Sequence, residues 1–136
     1  MRRDYVLDSG PFGMLAGGDE RVEALIDEVH RRAGRVFVPS VVLAECCGDF
    51  RYDVKYDRVL KGLGGAAECV VPIDAAIARR AGGILRRSGM RETLDGIVVA
   101  VAESFGTATN VITADKRHMT SLVASATVFL EVVAMG

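Results

Sequence analysis

Four acidic side chains stand in settings that solvation alone does not account for. Asp8 directly follows the apolar run Tyr5-Val6-Leu7, and Asp115 comes two residues after Thr113 at the end of Val111-Ile112-Thr113. Glu45 is embedded in Val41-Val42-Leu43-Ala44-Glu45-Cys46-Cys47, and Asp95 in Leu94-Asp95-Gly96-Ile97-Val98-Val99-Ala100. An acid inside so apolar a segment is costly to bury without a partner. Each alone has an ordinary structural reading: Asp8 can close a turn, Asp95 can favour a helix N-terminus, Glu45 can bridge to an arginine, and Asp115 can cap the following helix. Brought together, four carboxylates repel one another unless a cation sits among them. Hard oxygen donors with no convergent His or Cys select Mg²⁺ or Mn²⁺ over zinc. The chemistry such a centre performs is metal-assisted hydrolysis of a phosphodiester.

Whether the acids converge depends on the elements that carry them. The runs Tyr5-Val6-Leu7, Val36-Phe37-Val38, Cys69-Val70-Val71, Val111-Ile112-Thr113 and Val128-Phe129-Leu130 are short and do not alternate, as strands buried on both faces should read. Helical patterns lie between them. From Asp19, an expected N-cap, Val22, Leu25, Ile26 and Val29 form one apolar stripe that ends at Gly34, and Ser40, Asp74 and Thr93 are expected to cap three further helices. The order β-α-β-α-α-β-α-α-β-α-β predicts an α/β fold with a mostly parallel central sheet flanked by helices. In such a sheet the ligand crevice lies beyond the carboxyl ends of the strands. Asp8 and Asp115 should emerge on that edge, with Asp95 and Glu45 in the opening turns of helices that point to it. On the helix expected over 75–87, Ile77, Ala81, Ile84 and Leu85 mark the buried stripe, while Arg79, Arg80, Arg86 and Arg87 occupy the opposite arc. That arc reads equally as a solvated face or as a patch tracking phosphates.

The 136 residues carry 18 acidic and 17 basic side chains, a net charge of -1, and half of them are hydrophobic. This excludes a disordered chain and predicts a single domain over 1–136. No apolar run approaches the roughly 20 residues of a membrane span. Met1-Arg2-Arg3-Asp4-Tyr5 leads into Asp8 and Gly10 rather than an unbroken apolar stretch, which predicts a cytoplasmic protein. Cys46, Cys47 and Cys69 lack metal-ligand spacing and are expected to be reduced thiols in the core.

In order and separation, Val6-Leu7-Asp8-Ser9, Leu43-Ala44-Glu45, the stretch from Leu94-Asp95-Gly96 to Val101-Ala102, and Ile112-Thr113-Ala114-Asp115-Lys116-Arg117-His118-Met119 resemble the four motifs of the PIN domain. The resemblance spans essentially the whole chain and is closest to VapC-type toxins of bacterial toxin-antitoxin pairs. It implies a PIN-like three-layer fold in which Asp8, Glu45, Asp95 and Asp115 form a metal-binding acidic tetrad. Ser9 matches the hydroxyl residue after the first acid, and Thr113 the one two before the last. Met119 stands where an aromatic is common, and Gly96 where alanine is usual. The implied activity is an Mg²⁺-dependent endoribonuclease, with Mn²⁺ able to substitute, and the implied partners are RNA, a cognate antitoxin and a second copy of the chain. Lys116 and Arg117 are placed to meet the scissile strand, whereas His118 is given no catalytic part. Tyr52 and Tyr56 are candidates for an antitoxin or subunit contact, or for packing. The competing readings are a PIN nuclease of RNA processing outside a toxin pair and a catalytically silent PIN-like module. A phosphoacceptor receiver domain would need two adjacent acids after the first strand, where Ser9 follows Asp8.

Overall fold

The computed structural model describes residues 3–135; of the unit read over 1–136, Met1, Arg2 and Gly136 lie outside the described residues. The strands β1 (Asp4–Leu7), β2 (Arg35–Pro39), β3 (Val70–Val71), β4 (Thr109–Thr113) and β5 (Leu130–Ala134) form one sheet in the order β3-β2-β1-β4-β5. Every pairing is parallel. Strand β1 lies between β2 and β4, with Val6 opposite both Phe37 and Val111. Buried on two sides, β1 and β4 carry no alternation: Val6, Leu7, Val111, Ile112 and Thr113 are all inaccessible to solvent.

Two layers of helix flank the sheet. Helices α1 (Ser9–Ala16) and α2 (Glu20–Arg31) connect β1 to β2. Helix α3 (Ser40–Cys47) and the short α4 (Phe50–Asp53), α5 (Tyr56–Gly62) and α6 (Ala66–Cys69) connect β2 to β3. These pack among themselves on one side, while α7 (Ala75–Ser88), α8 (Thr93–Phe105) and α9 (Lys116–Val123) pack together on the other. Right-handed crossovers give this division, because the chain moves outward from β1 in one direction through β2 and β3 and in the other through β4 and β5. Helix α8 is apolar on every side over 98–102, as a helix enclosed by neighbours must be. A Cβ at Gly96 would come within 2.8 Å of Leu85 Cγ on α7, so glycine there sets how closely the two helices approach. At the other end of α8, the Phe105 ring stacks on Phe37 of β2 with centroids 4.4 Å apart.

The expected elements stand with local corrections. Asp19 and Asp74 do cap α2 and α7 by accepting backbone N–H bonds. Ser40 and Thr93 are instead the first helical residues, and Pro39 and Glu92 precede them without a side-chain cap bond. Cys69 ends a helix rather than opening β3, and β5 starts at Leu130, where its ladder with β4 begins, leaving Val128 and Phe129 in the connection. Helix α1 was concealed by Gly10-Pro11-Phe12-Gly13, which reads as a turn. Pro11 is tolerated there because a first-turn N–H has no helical partner to lose. Cys46 and Cys69 are buried and Cys47 is half-buried, all three as free thiols, and burial pushes the Cys46 thiol up to about 12. Among the described residues no helix is long and apolar enough to cross a membrane.

Candidate functional site

The strand order reverses direction at β1, so the crevice beyond the carboxyl ends of β1 and β4 is the switch point of the sheet. Asp8 is the first residue past β1, and only 7% of it is exposed. Its backbone N–H donates to the Ile112 carbonyl of β4 at 2.9 Å, which extends the ladder by one residue. Its carboxylate is held from two sides. Oδ1 accepts from Ser9 N at 2.8 Å, capping α1, and Oδ2 accepts from the fully buried Thr113 hydroxyl at 2.9 Å. The same Thr113 oxygen accepts from Asp115 N at 3.0 Å. One hydroxyl thus ties the first acid to the backbone of the last. Asp115 caps α9 in turn, accepting from His118 N at 3.1 Å. A Cβ at Gly10 would meet Ala114 Cβ at 2.8 Å, so glycine lets the first turn of α1 press against the loop between Thr113 and Asp115.

Asp95 lies in the first turn of α8 and is partly buried. Burial, then the negative charges of Asp8 and Glu45, push its carboxyl up to about 6, against the opposing pull of His118. Burial also raises Asp8, with Asp115 adding to it, although Ser9 N–H and the Thr113 hydroxyl favour its ionised form. Glu45, in the second turn of α3, is exposed and acts on Asp95 through its charge. Cys46 beside it donates to the Ser9 carbonyl through Sγ at 3.6 Å, which docks α3 against the start of α1. The charges of Asp8 and Glu45 thus act on Asp95, and that of Asp115 on Asp8, which brings β1, α3, α8 and the β4–α9 junction to one edge of the sheet. Among the described residues no three metal-ligating side chains stand close enough to form a finished cage. The donor type nonetheless suits a hard divalent ion, since these are carboxylate oxygens whose charged forms disfavour one another.

The structure adds two groups. His118 Nε2 lies 3.1 Å from Glu92 Oε2, an ion-pair distance without good hydrogen-bond geometry, and 3.8 Å from Asp95 Oδ2. Its Nδ1 lies 3.8 Å from Asp115 Oδ2. A histidine does converge on the acids, contrary to the sequence reading. The hydrogen bond and charge of Glu92 raise its pKa, and both ring nitrogens lie near carboxylates, an arrangement that favours the protonated ring. The signal was a spacing of three: Glu92 precedes Asp95, and His118 follows Asp115, by one helical turn.

Lys116 and Arg117 are exposed on the opening turn of α9 beside Asp115. Arg79, Arg80, Arg86 and Arg87 are not brought to the acids. They surround a separate depression of about 470 Å³ over α7. Tyr52 is packed within the chain, with Gly13 directly beneath its ring, and Tyr56 packs against the core. Among the described residues the large exposed apolar side chains are instead Phe50 and Val54, four residues apart at α4, and Phe129.

Residues 5–125 match the PIN domain family model. No curated protein matches the chain in sequence. The fold is similar to a chain of VapBC2 from Rickettsia felis, solved bound to a DNA fragment from their promoter. That match has a TM-score of 0.67 and 12% identity, over 96% of this chain and 98% of that one. It is similar also to a chain of FitAcB from Neisseria gonorrhoeae, with a TM-score of 0.66 and 20% identity over 93% and 96% of the two chains. A toxin-antitoxin complex from Klebsiella pneumoniae gives 0.62 and 16%, over 83% and 88%.

Proposed function

The chain belongs to the PIN domain family, and from that premise we propose that it is a metal-dependent endoribonuclease acting as the toxin of a toxin-antitoxin pair. The observation that carries the chemistry is the buried Thr113 hydroxyl, which joins Asp8 to Asp115 at the sheet's switch point with the Asp95 carboxyl alongside. Asp8, Asp95 and Asp115, with Glu45 facing them, would hold Mg²⁺, or Mn²⁺ in its place. Such an ion, when bound, activates water and neutralises charge on the phosphate. The chain's own residues do the rest. Ser9 N–H and Thr113 keep Asp8 oriented, and the α9 cap fixes the Asp115 backbone. Lys116 and Arg117 attract the strand at the crevice mouth. The toxin assignment draws on the likeness in fold to chains of VapBC2 and of the Klebsiella complex. On this reading the chain works as one PIN domain in the cytoplasm, as a homodimer. A cognate antitoxin covers it, with exposed Phe50 and Val54 as apolar contacts in place of the packed tyrosines.

The test is cleavage of RNA by the purified protein with Mg²⁺, with Mn²⁺ and in EDTA, with the new ends identified. Cutting only with metal, leaving a 5′-phosphate and a 3′-hydroxyl, is expected. Full activity in EDTA or a 2′,3′-cyclic phosphate product would overturn the mechanism. Induced expression should arrest growth for the wild type but not for Asp95→Asn, and an antitoxin gene beside this one should relieve the arrest.

A further inference from the structure

The arginine-lined depression lies away from the acids along the same helices. Asp95 stands near the start of α8, and Glu103 near its end is eight residues on, about 12 Å away at 1.5 Å per residue. Glu103 is buried to 4% exposure, which is unusual for an acid, and is fully committed: it accepts from Arg80 Nη1 at 2.8 Å and from Thr127 N at 2.7 Å. Arg87 Nε donates to the Ser125 carbonyl at 3.0 Å, beyond the end of α9 whose start is capped by Asp115. Both helices that present acids at their N-terminal ends thus border the arginines at their C-terminal ends. Helix α7 joins the two regions. Its Leu85 packs on Gly96 beside Asp95, its Arg80 meets Glu103, and Arg79, Arg86 and Arg87 share the open face.

We propose that this depression is a second anion site, which holds the sugar-phosphate backbone of the same RNA strand whose scissile phosphate lies at the acids. The proposal rests on the nuclease reading above. Glu103 acts as a positioning residue: it neutralises one guanidinium and anchors Arg80 as a wall, leaving Arg79, Arg86 and the terminal nitrogens of Arg87 to meet the ligand. Guanidinium forks match phosphate oxygens in pairs. The depression is open and polar, as an extended strand requires, and the net charge of -1 makes four clustered arginines a strong local contrast. At about 3.4 Å per nucleotide for a stacked strand, and more for an extended one, roughly four nucleotides or fewer span the 12 Å separation. RNA long enough to reach both regions should therefore bind better than RNA that fills the crevice alone.

The experiment compares single-stranded RNAs of about 2 and about 20 nucleotides with wild type, with Arg79→Gln/Arg86→Gln, and with Arg79→Lys/Arg86→Lys. Both side chains are exposed, so the fold should survive. Wild type should favour the long RNA by tenfold or more in KM. The glutamine variant should lose that preference, and the lysine variant should regain part of it. Binding is measured separately by anisotropy on Asp95→Asn without metal. There the glutamine pair should weaken long-RNA affinity and reduce the slope of log affinity against log salt by about 1.4, for two phosphate contacts on a single strand. An undiminished length preference together with an undiminished salt slope would overturn the proposal. Failure of every RNA to be cut by wild type would instead sink the nuclease reading, while the binding arm still judges the arginines.

Discussion

Thr113 shows how much of this site depends on a side chain that is not an acid. Replacing it by Val keeps the shape and removes the hydroxyl, leaving Asp8 Oδ2 without its donor and Asp115 N without its acceptor. Thr113→Val should cost about 1–3 kcal/mol by urea titration and lower RNA cleavage about tenfold or more, whereas Thr113→Ser should retain most of both. Asp95 carries a different signature. Its carboxyl is raised from the ordinary 3.8 to about 6, chiefly by burial. With metal removed by EDTA, the folded state therefore holds a proton that the unfolded chain has released. Stability is fully present below the lower value and is lost as pH rises through the upper one. Asp8, also raised, and His118, raised by Glu92, act in the same direction. Asp95→Asn should accordingly flatten, without abolishing, the fall in urea midpoint between about pH 4 and 7. Saturating Mg²⁺ should oppose the wild-type fall. Asp95 and Glu45 stood out in the sequence because an acid in an apolar run is conspicuous. Glu92 did not, since Arg91-Glu92-Thr93 looks like an ordinary solvated stretch, and His118 stood only as a basic neighbour of Asp115 because nothing in the sequence brings it to Glu92 and Asp95.

Elements carry the acids to the sheet edge, and α7 packs closely along α8. Gly96→Ala gains helix propensity of about 1 kcal/mol but drives a methyl into Leu85, so a net loss of about 1–2 kcal/mol is expected. Adding Leu85→Ala should make the pair less than additive, because the clash disappears with the leucine. Matched denaturant curves for the two single variants and the double would show whether Leu85 is the obstacle. The strand interiors were readable because short, largely β-branched runs without alternation, such as Val111-Ile112-Thr113, suit a buried parallel sheet. Helix starts were readable where an aspartate caps, as at Asp19 and Asp74, and misplaced where no side chain does, as at Pro39 and Glu92. The segment between β2 and β3 was predicted as two helices, and it breaks into four. Gly48, Gly64 and Gly65 lie at or near its breaks, but neither composition nor period says how many turns survive between them.

Across the whole molecule, stability should be graded from the switch point outward. The second half of β1, all of β4 and the enclosed stretch 98–102 are buried, whereas β3 is a two-residue edge strand reached through short helices. Native-state hydrogen exchange should find the slowest amides in β1, β4 and 98–102, and the fastest sub-global opening in α4–α6 and β3. Uniform protection would contradict that grading. The near-zero net charge concealed the other molecular property, the segregation of acids and arginines along α7 and α8, because a sum carries no geometry. The bond from Thr113 to Asp8 spans 105 residues of chain. On a ribosome, Asp8 emerges early and waits through most of synthesis for the strand that completes its surroundings. If the proposed nuclease reading holds, the nascent chain should therefore leave the RNA being read beside it uncut until nearly the last helix has been made. An N-terminal fragment released at a stalled codon before β4 should be inert, however well its first strands have paired.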